Sequence, residues 1–149
     1  PPQNEAAAPD PGMAETIQSR FADVKQCRVV DLNVKRPVVL AALNKTRPHH
    51  GPEFIRQCLE DPELAGLGVL VVLEDHVDLD NSSTVLWKLF NNLDPRRDVH
   101  VINGRVGIDV TRKLPEEGYH QDWPDEIHMS DDIKQRVDEK WERLFPPSR

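Results

Sequence analysis

Gly68-Val-Leu-Val-Val-Leu73, running on into Glu74-Asp-His-Val-Asp-Leu-Asp80, is the stretch whose reading decides the fold. The apolar run is too short for a buried helix and rich in β-branched Val, so it predicts a central strand covered on both faces. The acidic turn ends the run. Asn81-Ser-Ser83 then supplies N-cap residues for a helix whose apolar stripe is Val85, Leu86, Leu89, Phe90 and Leu93. Asp94–Pro95 stops that helix, and Asp98 to Asn103 reads as a further strand. The unit is strand, helix, strand, with the spacing of a parallel crossover.

Working outward, Arg28 to Val34 and Pro37 to Leu43 are Val- and Leu-rich and predict two strands turned back on each other at Lys35–Arg36. Met13, Ile17, Phe21 and Val24 step at helical spacing and predict an opening helix. Gly51–Pro52 starts another, carrying Phe54, Ile55, Cys58 and Leu59 on one face, and Asp61–Pro62 ends it. Gly104 to Met129 has no sustained period and predicts an extended arm. Beyond it Ser130 caps a last helix: Asp131 and Asp132 suit its positive end, while Ile133, Val137, Trp141, Leu144 and Phe145 share a face. The expected fold class is therefore α/β, a small mixed sheet flanked by helices, with an extended C-terminal arm and a terminal helix.

Size allows one such domain, since 149 residues and 17.0 kDa fit a single core. Pro1 to Gly12 holds four prolines, three alanines in a row and no large apolar side chain. It cannot bury enough surface to offset ordering and reads as a disordered tail or linker, leaving 13–149 as the domain. No apolar run approaches the roughly 20 residues a membrane span needs, and no secretory leader pattern is present, so a cytoplasmic location is expected. A net charge of −7 and a pI of 5.3 argue against nucleic acid as a partner, because phosphate binding needs a basic patch. Cys27 and Cys58 lack metal or redox spacing and are expected to be buried small hydrophobes.

Three groups of residues invite a functional reading. Asp75, Asp78 and Asp80 stand at the carboxyl end of the central strand, where open α/β sheets bind ligands, but Asp also dominates solvated turns for backbone reasons, and the turn reading is favoured. His49–His50 match no zinc spacing and read as a solvated pair ahead of a helix. Trp87 and Trp141, at helical spacing among apolar residues, read as core or interface anchors. No nucleophile elbow, Walker loop or dinucleotide fingerprint occurs.

Taken in order, Val69 to Asp80, then Val85-Leu-Trp-Lys-Leu89, then Asn92-Leu-Asp-Pro-Arg-Arg-Asp98, resemble the UbiD family of decarboxylases in their apolar strand, acidic turn, "V-L-W" helix and "D-P-x-R-D" exit. Val39 to Pro48 is similar to that family's segment leading into a helix, and Gly107-Ile-Asp-Val-Thr-Arg-Lys113 resembles its "G-x-D-A-T-x-K". The compound pattern points to the family's C-terminal domain. The resemblance implies decarboxylation of an aromatic or α,β-unsaturated acid, using prenylated FMN with a divalent metal and potassium held on a separate flavin-bearing catalytic chain or domain. No catalytic, cofactor or metal residue is expected on this chain. It implies that this chain contributes oligomerisation and closure of the active site, with Trp87, Trp141, Leu144 and Phe145 as candidate interface residues. Lys45, Asp75 and Asp78 would face the flavin domain. The alternative is an interaction or oligomerisation module that retains only the fold.

Overall fold

A computed structural model describes residues 12–32, 34–123 and 129–145. The expected tail lies outside these residues, apart from Gly12, which opens the first helix. The elements are α1 (Gly12–Arg20), β1 (Val24–Val30), β2 (Val38–Leu43), α2 (His50–Glu60), β3 (Val69–Glu74), α3 (Ser82–Asn92), α4 (Pro95–Asp98), β4 (Val99–Ile102), β5 (Arg105–Asp109) and α5 (Asp131–Leu144). Single 3₁₀ turns sit at Pro62–Leu64 and Pro115–Glu117.

Five strands form one mixed sheet in the order β1-β2-β3-β5-β4. β2, β3 and β5 are parallel, while β1 and β4 pair antiparallel on the two edges. The fold class is the one expected from the sequence. Its centre is β3, whose side chains divide between two cores: Leu70 and Val72 join α1 and α2 on one face, and Val71 and Leu73 join α3 on the other. β2 divides the same way, with Val39, Ala41 and Leu43 on the α2 side and Leu40 and Ala42 on the α3 side. This period of two explains why the run carries no polar alternation.

Three expectations are corrected. β4 is not the parallel neighbour of β3; it turns at Asn103–Gly104 and pairs antiparallel with β5, which is the strand that lies beside β3. The segment expected as an arm thus contributes an inner strand, disguised because Arg105 and Asp109 are charged and buried. Arg105 is held there by hydrogen bonds: its guanidinium donates to the carbonyls of Leu59 and Leu64, closing the carboxyl end of α2. β1 begins at Val24 rather than Arg28, with a bulge between Val24 and Gln26, so α1 ends at Arg20.

Two glycines are required by close approach. A Cβ on Gly51 would meet the Asp109 carboxylate at 2.5 Å, and one on Gly107 would collide with Ile55. Together they let α2 lie directly on β5.

Candidate functional site

The carboxyl ends of β2, β3 and β5 open onto a cleft of about 160 Å³ lined by Asn44, Lys45, Asp75, His76, Arg112 and Leu114. In open α/β sheets this edge is the usual place for ligand contact. Lys45 stands two residues past β2 and Asp75 follows β3, so two of the residues expected to face a partner domain meet in one cleft. Asp78 is not part of it. Its Oδ1 accepts the backbone N–H of Asp80 at 2.9 Å, Asp80 pairs with Arg28, and Val77 and Leu79 turn inward between them. The acidic segment is a solvated turn that leads into α3, where Asn81 Oδ1 caps Thr84 N–H at 3.1 Å.

Behind the cleft lies a set of buried ions, each closed from within the chain. Lys45 Nζ lies 2.6 and 2.7 Å from the two Glu117 oxygens and donates to the Arg112 carbonyl at 2.6 Å. Glu117 also accepts the backbone N–H groups of His49 and Leu114. Burial pushes the Glu117 carboxyl up, but the hydrogen bonds from Lys45, Leu114 and His49 outweigh it and leave it below its ordinary value. Lys88, on α3, holds Glu74 at 2.9 Å with only 3% of its side chain exposed.

The third lysine organises the segments whose pattern carried the resemblance. Lys113 Nζ donates to the carbonyls of Thr111 and Asp109 and lies 3.0 Å from Asp109 Oδ2 and 3.6 Å from Asp98 Oδ1. Asp109 Oδ1 accepts the N–H and the hydroxyl of Thr111. Asp94 caps the single turn of α4, and Asp98 takes the Asp94 N–H and two bonds from Arg97. Burial raises the Asp98 carboxyl, yet Arg97, the Asp94 N–H and the Lys113 charge bring it below its ordinary value. Asp109, Thr111 and Lys113 are thus read off the sequence as a pattern and off the structure as a lock between β5 and α4.

His50 is a further correction. It is 6% exposed rather than solvated, because it begins α2 inside a pocket of about 190 Å³ beside Asp23, Arg47 and Phe54. Its Nδ1 accepts the Thr46 N–H at 3.3 Å, which assigns the proton to Nε2, 3.4 Å from Asp23 Oδ2. Burial lowers its pKa most, Arg47 lowers it further, and Asp23 and Glu53 oppose. Its neighbour His49 takes a left-handed backbone, φ 59°.

The candidate interface residues face solvent: Trp87 is 52% exposed, Trp141 62%, Leu144 57% and Phe145 60%. Trp87 is therefore not a core anchor. Among the described residues, no three His, Cys, Asp or Glu side chains could hold one metal ion. Asp75 and Asp78 stay on the solvated turn, and the buried carboxylates Glu74, Asp109 and Glu117 each lie against a lysine.

Residues 6–120 match the family described as 3-octaprenyl-4-hydroxybenzoate carboxy-lyase C-terminal domain, the UbiD C-terminal domain. The chain belongs to this family. Among its relatives, an uncharacterized protein of Aquifex aeolicus (strain VF5) is 37% identical over 103 residues, covering 54% of this chain and 21% of that protein. An uncharacterized protein of Archaeoglobus fulgidus is 25% identical over 138 residues, 78% of this chain and 29% of that one. Among solved structures, the closed form of Sedimentibacter hydroxybenzoicus vanillic acid decarboxylase is similar with a TM-score of 0.66 at 16% identity, over 91% of this chain and 31% of that chain. The evolved dimeric form of the UbiD-class enzyme HmfF from Pelotomaculum thermopropionicum, in complex with prFMN, gives 0.64 at 16%, over 83% and 27%. These likenesses show the fold of a UbiD C-terminal domain. The chain spans between about a fifth and a third of the length of such relatives. Among the described residues no helix is long and apolar enough to cross a membrane.

Proposed function

We propose that this UbiD C-terminal domain serves as the C-terminal part, or small subunit, of a cytoplasmic UbiD-class decarboxylase acting on aromatic or α,β-unsaturated carboxylic acids. Its part is oligomerisation and closure of the active site. Prenylated FMN, with its divalent metal and potassium, belongs in this reading to a flavin-bearing catalytic unit, on a separate chain or domain. The observation that carries the reading is a division of side chains: the buried lysines of the carboxyl edge each lie against a carboxylate of this chain, whereas apolar side chains of α3 and α5 stand open. Lysines held by carboxylates and carbonyls make a rigid platform rather than a proton-transfer site. The vanillic acid decarboxylase and HmfF supply the analogy for substrate class and flavin.

The exposed face of α5 also favours a second reading, an interaction module that keeps the fold without the enzyme. Native mass spectrometry of the chain purified from its own host, with an absorbance scan for flavin, separates the two. A larger flavin-bearing partner at fixed stoichiometry is expected; a flavin-free homo-oligomer selects the module. Flavin binding with turnover by this chain alone would overturn the division of labour.

A further inference from the structure

Between β2 and α2 the chain passes through Asn44, Lys45, Thr46, Arg47, Pro48 and His49, and this segment is gripped from two sides. On the side of the cleft, Glu117 accepts from Lys45 Nζ and from the His49 N–H at 2.9 Å. That bond holds His49 in its left-handed turn, a backbone strained for a residue that carries a Cβ. On the side of the His50 pocket, the Asp23 carbonyl accepts the Asn44 N–H at 2.8 Å, and His50 reaches back from the start of α2 to take the Thr46 N–H on Nδ1. The Lys45–Thr46 peptide is thus held between a carboxylate and an imidazole.

The count of donors makes this arrangement sensitive to one proton. Neutral His50 carries its hydrogen on Nε2, 3.4 Å from Asp23 Oδ2, and the Nδ1 lone pair receives Thr46. Protonated His50 has a hydrogen on both nitrogens, so Nδ1–H and the Thr46 N–H point at one another. The Thr46 hydroxyl, 3.5 Å from Nδ1, is the acceptor at hand, and reaching it means turning the Lys45–Thr46 peptide.

We propose that His50 is a proton-operated tie: neutral, it fixes the Lys45–Thr46 peptide; protonated, it lets that peptide turn, which loosens Lys45 and His49 from Glu117 and opens the cleft at the carboxyl edge. The device lies within this chain and needs no flavin-bearing unit. The charges around the ring set where it works. Asp23, ahead of β1, and Glu53, on α2, draw a proton to His50; Arg47 and Lys45, from the segment itself, repel it, and Arg20 of α1 lines the same pocket. Asp109 of β5 lies against Gly51, next to His50, with Lys113 answering its charge. Burial opposes the proton most, so the tied state is the resting one.

Amide NMR of the full chain from pH 7.5 to pH 5 tests this, a range that stays above the titration of Glu117, whose pKa lies below 4.5. The His50 imidazole signals give its midpoint. The Thr46 N–H reports the tie, and the Leu114 N–H, which donates to Glu117 at 2.8 Å, reports the clamp. Both amides are expected to move with the His50 midpoint, and their hydrogen exchange, corrected for intrinsic rate, to speed by about tenfold, the worth of one hydrogen bond. Asp23→Asn, at a side chain 45% exposed, is expected to lower all three midpoints together. In His50→Gln, whose amide oxygen takes the Thr46 N–H without titrating, both amides should stay flat. A Leu114 signal that stays still while Thr46 follows His50 overturns the link to the clamp. A Leu114 midpoint that ignores Asp23→Asn belongs to another histidine and overturns it too. If His50 takes up no proton above pH 5, nothing operates the tie and the proposal falls. The wild-type and Asp23→Asn titrations decide between these outcomes even if His50→Gln fails to fold.

Discussion

Lys45 and Glu117 are 72 residues apart in sequence and 2.6 Å apart in space, with 9% and 4% of their side chains exposed. This pair ties the end of β2 to the 3₁₀ turn that follows β5, and through the His49 N–H it also reaches the start of α2. Removing one member leaves the other buried and unpaired. Lys45→Met is expected to cost about 3–5 kcal/mol in urea unfolding, and Lys45→Met/Glu117→Leu to recover most of it. A double variant no more stable than the single one would show that the pair is not the unit.

Acid should weaken the fold in two stages. His50 has its pKa lowered below 6.5 in the folded chain, so the unfolded chain takes up a proton first as pH falls. The stability it confers is whole above pH 6.5 and drains below that. The Glu117 and Asp98 carboxyls lie below their ordinary 4.5 and 3.8, so their contribution is present above those values and is lost beneath them. The urea midpoint should drop between pH 7.5 and 5.5 in the wild type, while His50→Gln flattens that interval and keeps the loss below pH 4.5.

Gly107→Ala should cost more than helix or strand propensity accounts for, because its Cβ would press into Ile55 beneath α2. Overpacking of this kind costs about 1–3 kcal/mol. Thermal unfolding of Gly107→Ala beside Gly104→Ala separates the two effects, since nothing lies within 4 Å of the Gly104 site and its penalty comes from a φ of +69°.

Both thiols should resist reagents until the chain unfolds. Burial pushes Cys27 and Cys58 up to about 12, and at pH 8 only about one thiolate in ten thousand forms at such a site. Titration with a disulfide reagent should find little reactivity in native buffer and both thiols in guanidinium; fast native labelling of Cys58, which is fully buried, would contradict the packing.

The hairpin, β3, α2 and α3 were legible because burial imposes a period that apolar side chains record. β5 was not, since two of its five positions are filled by Arg105 and Asp109, whose burial depends on carbonyls and lysines that no local pattern reveals. At the candidate site, Asp75 was singled out by its place at the carboxyl end of β3 and Lys45 through the family resemblance alone, while Asp109, Thr111 and Lys113 stood within the "G-x-D-A-T-x-K" pattern. Glu117 carried no signal, because three strands separate it in the sequence from its partner Lys45. Asp78 was legible as a turn residue, because Asp favours turns by accepting a backbone N–H two residues on, as it does from Asp80.

The position of β5 also bears on how the chain is born. During synthesis β1, β2 and β3 emerge first, yet β3 gains its second neighbour only when Arg105 to Asp109 has left the ribosome. Until then Val-Leu-Val-Val-Leu stands as an unpaired, uncharged edge, a template for joining other nascent chains. A chain released before Arg105 should therefore scatter light rather than accumulate as a soluble fragment, and the interval between β3 and β5 is when a chaperone has most to protect.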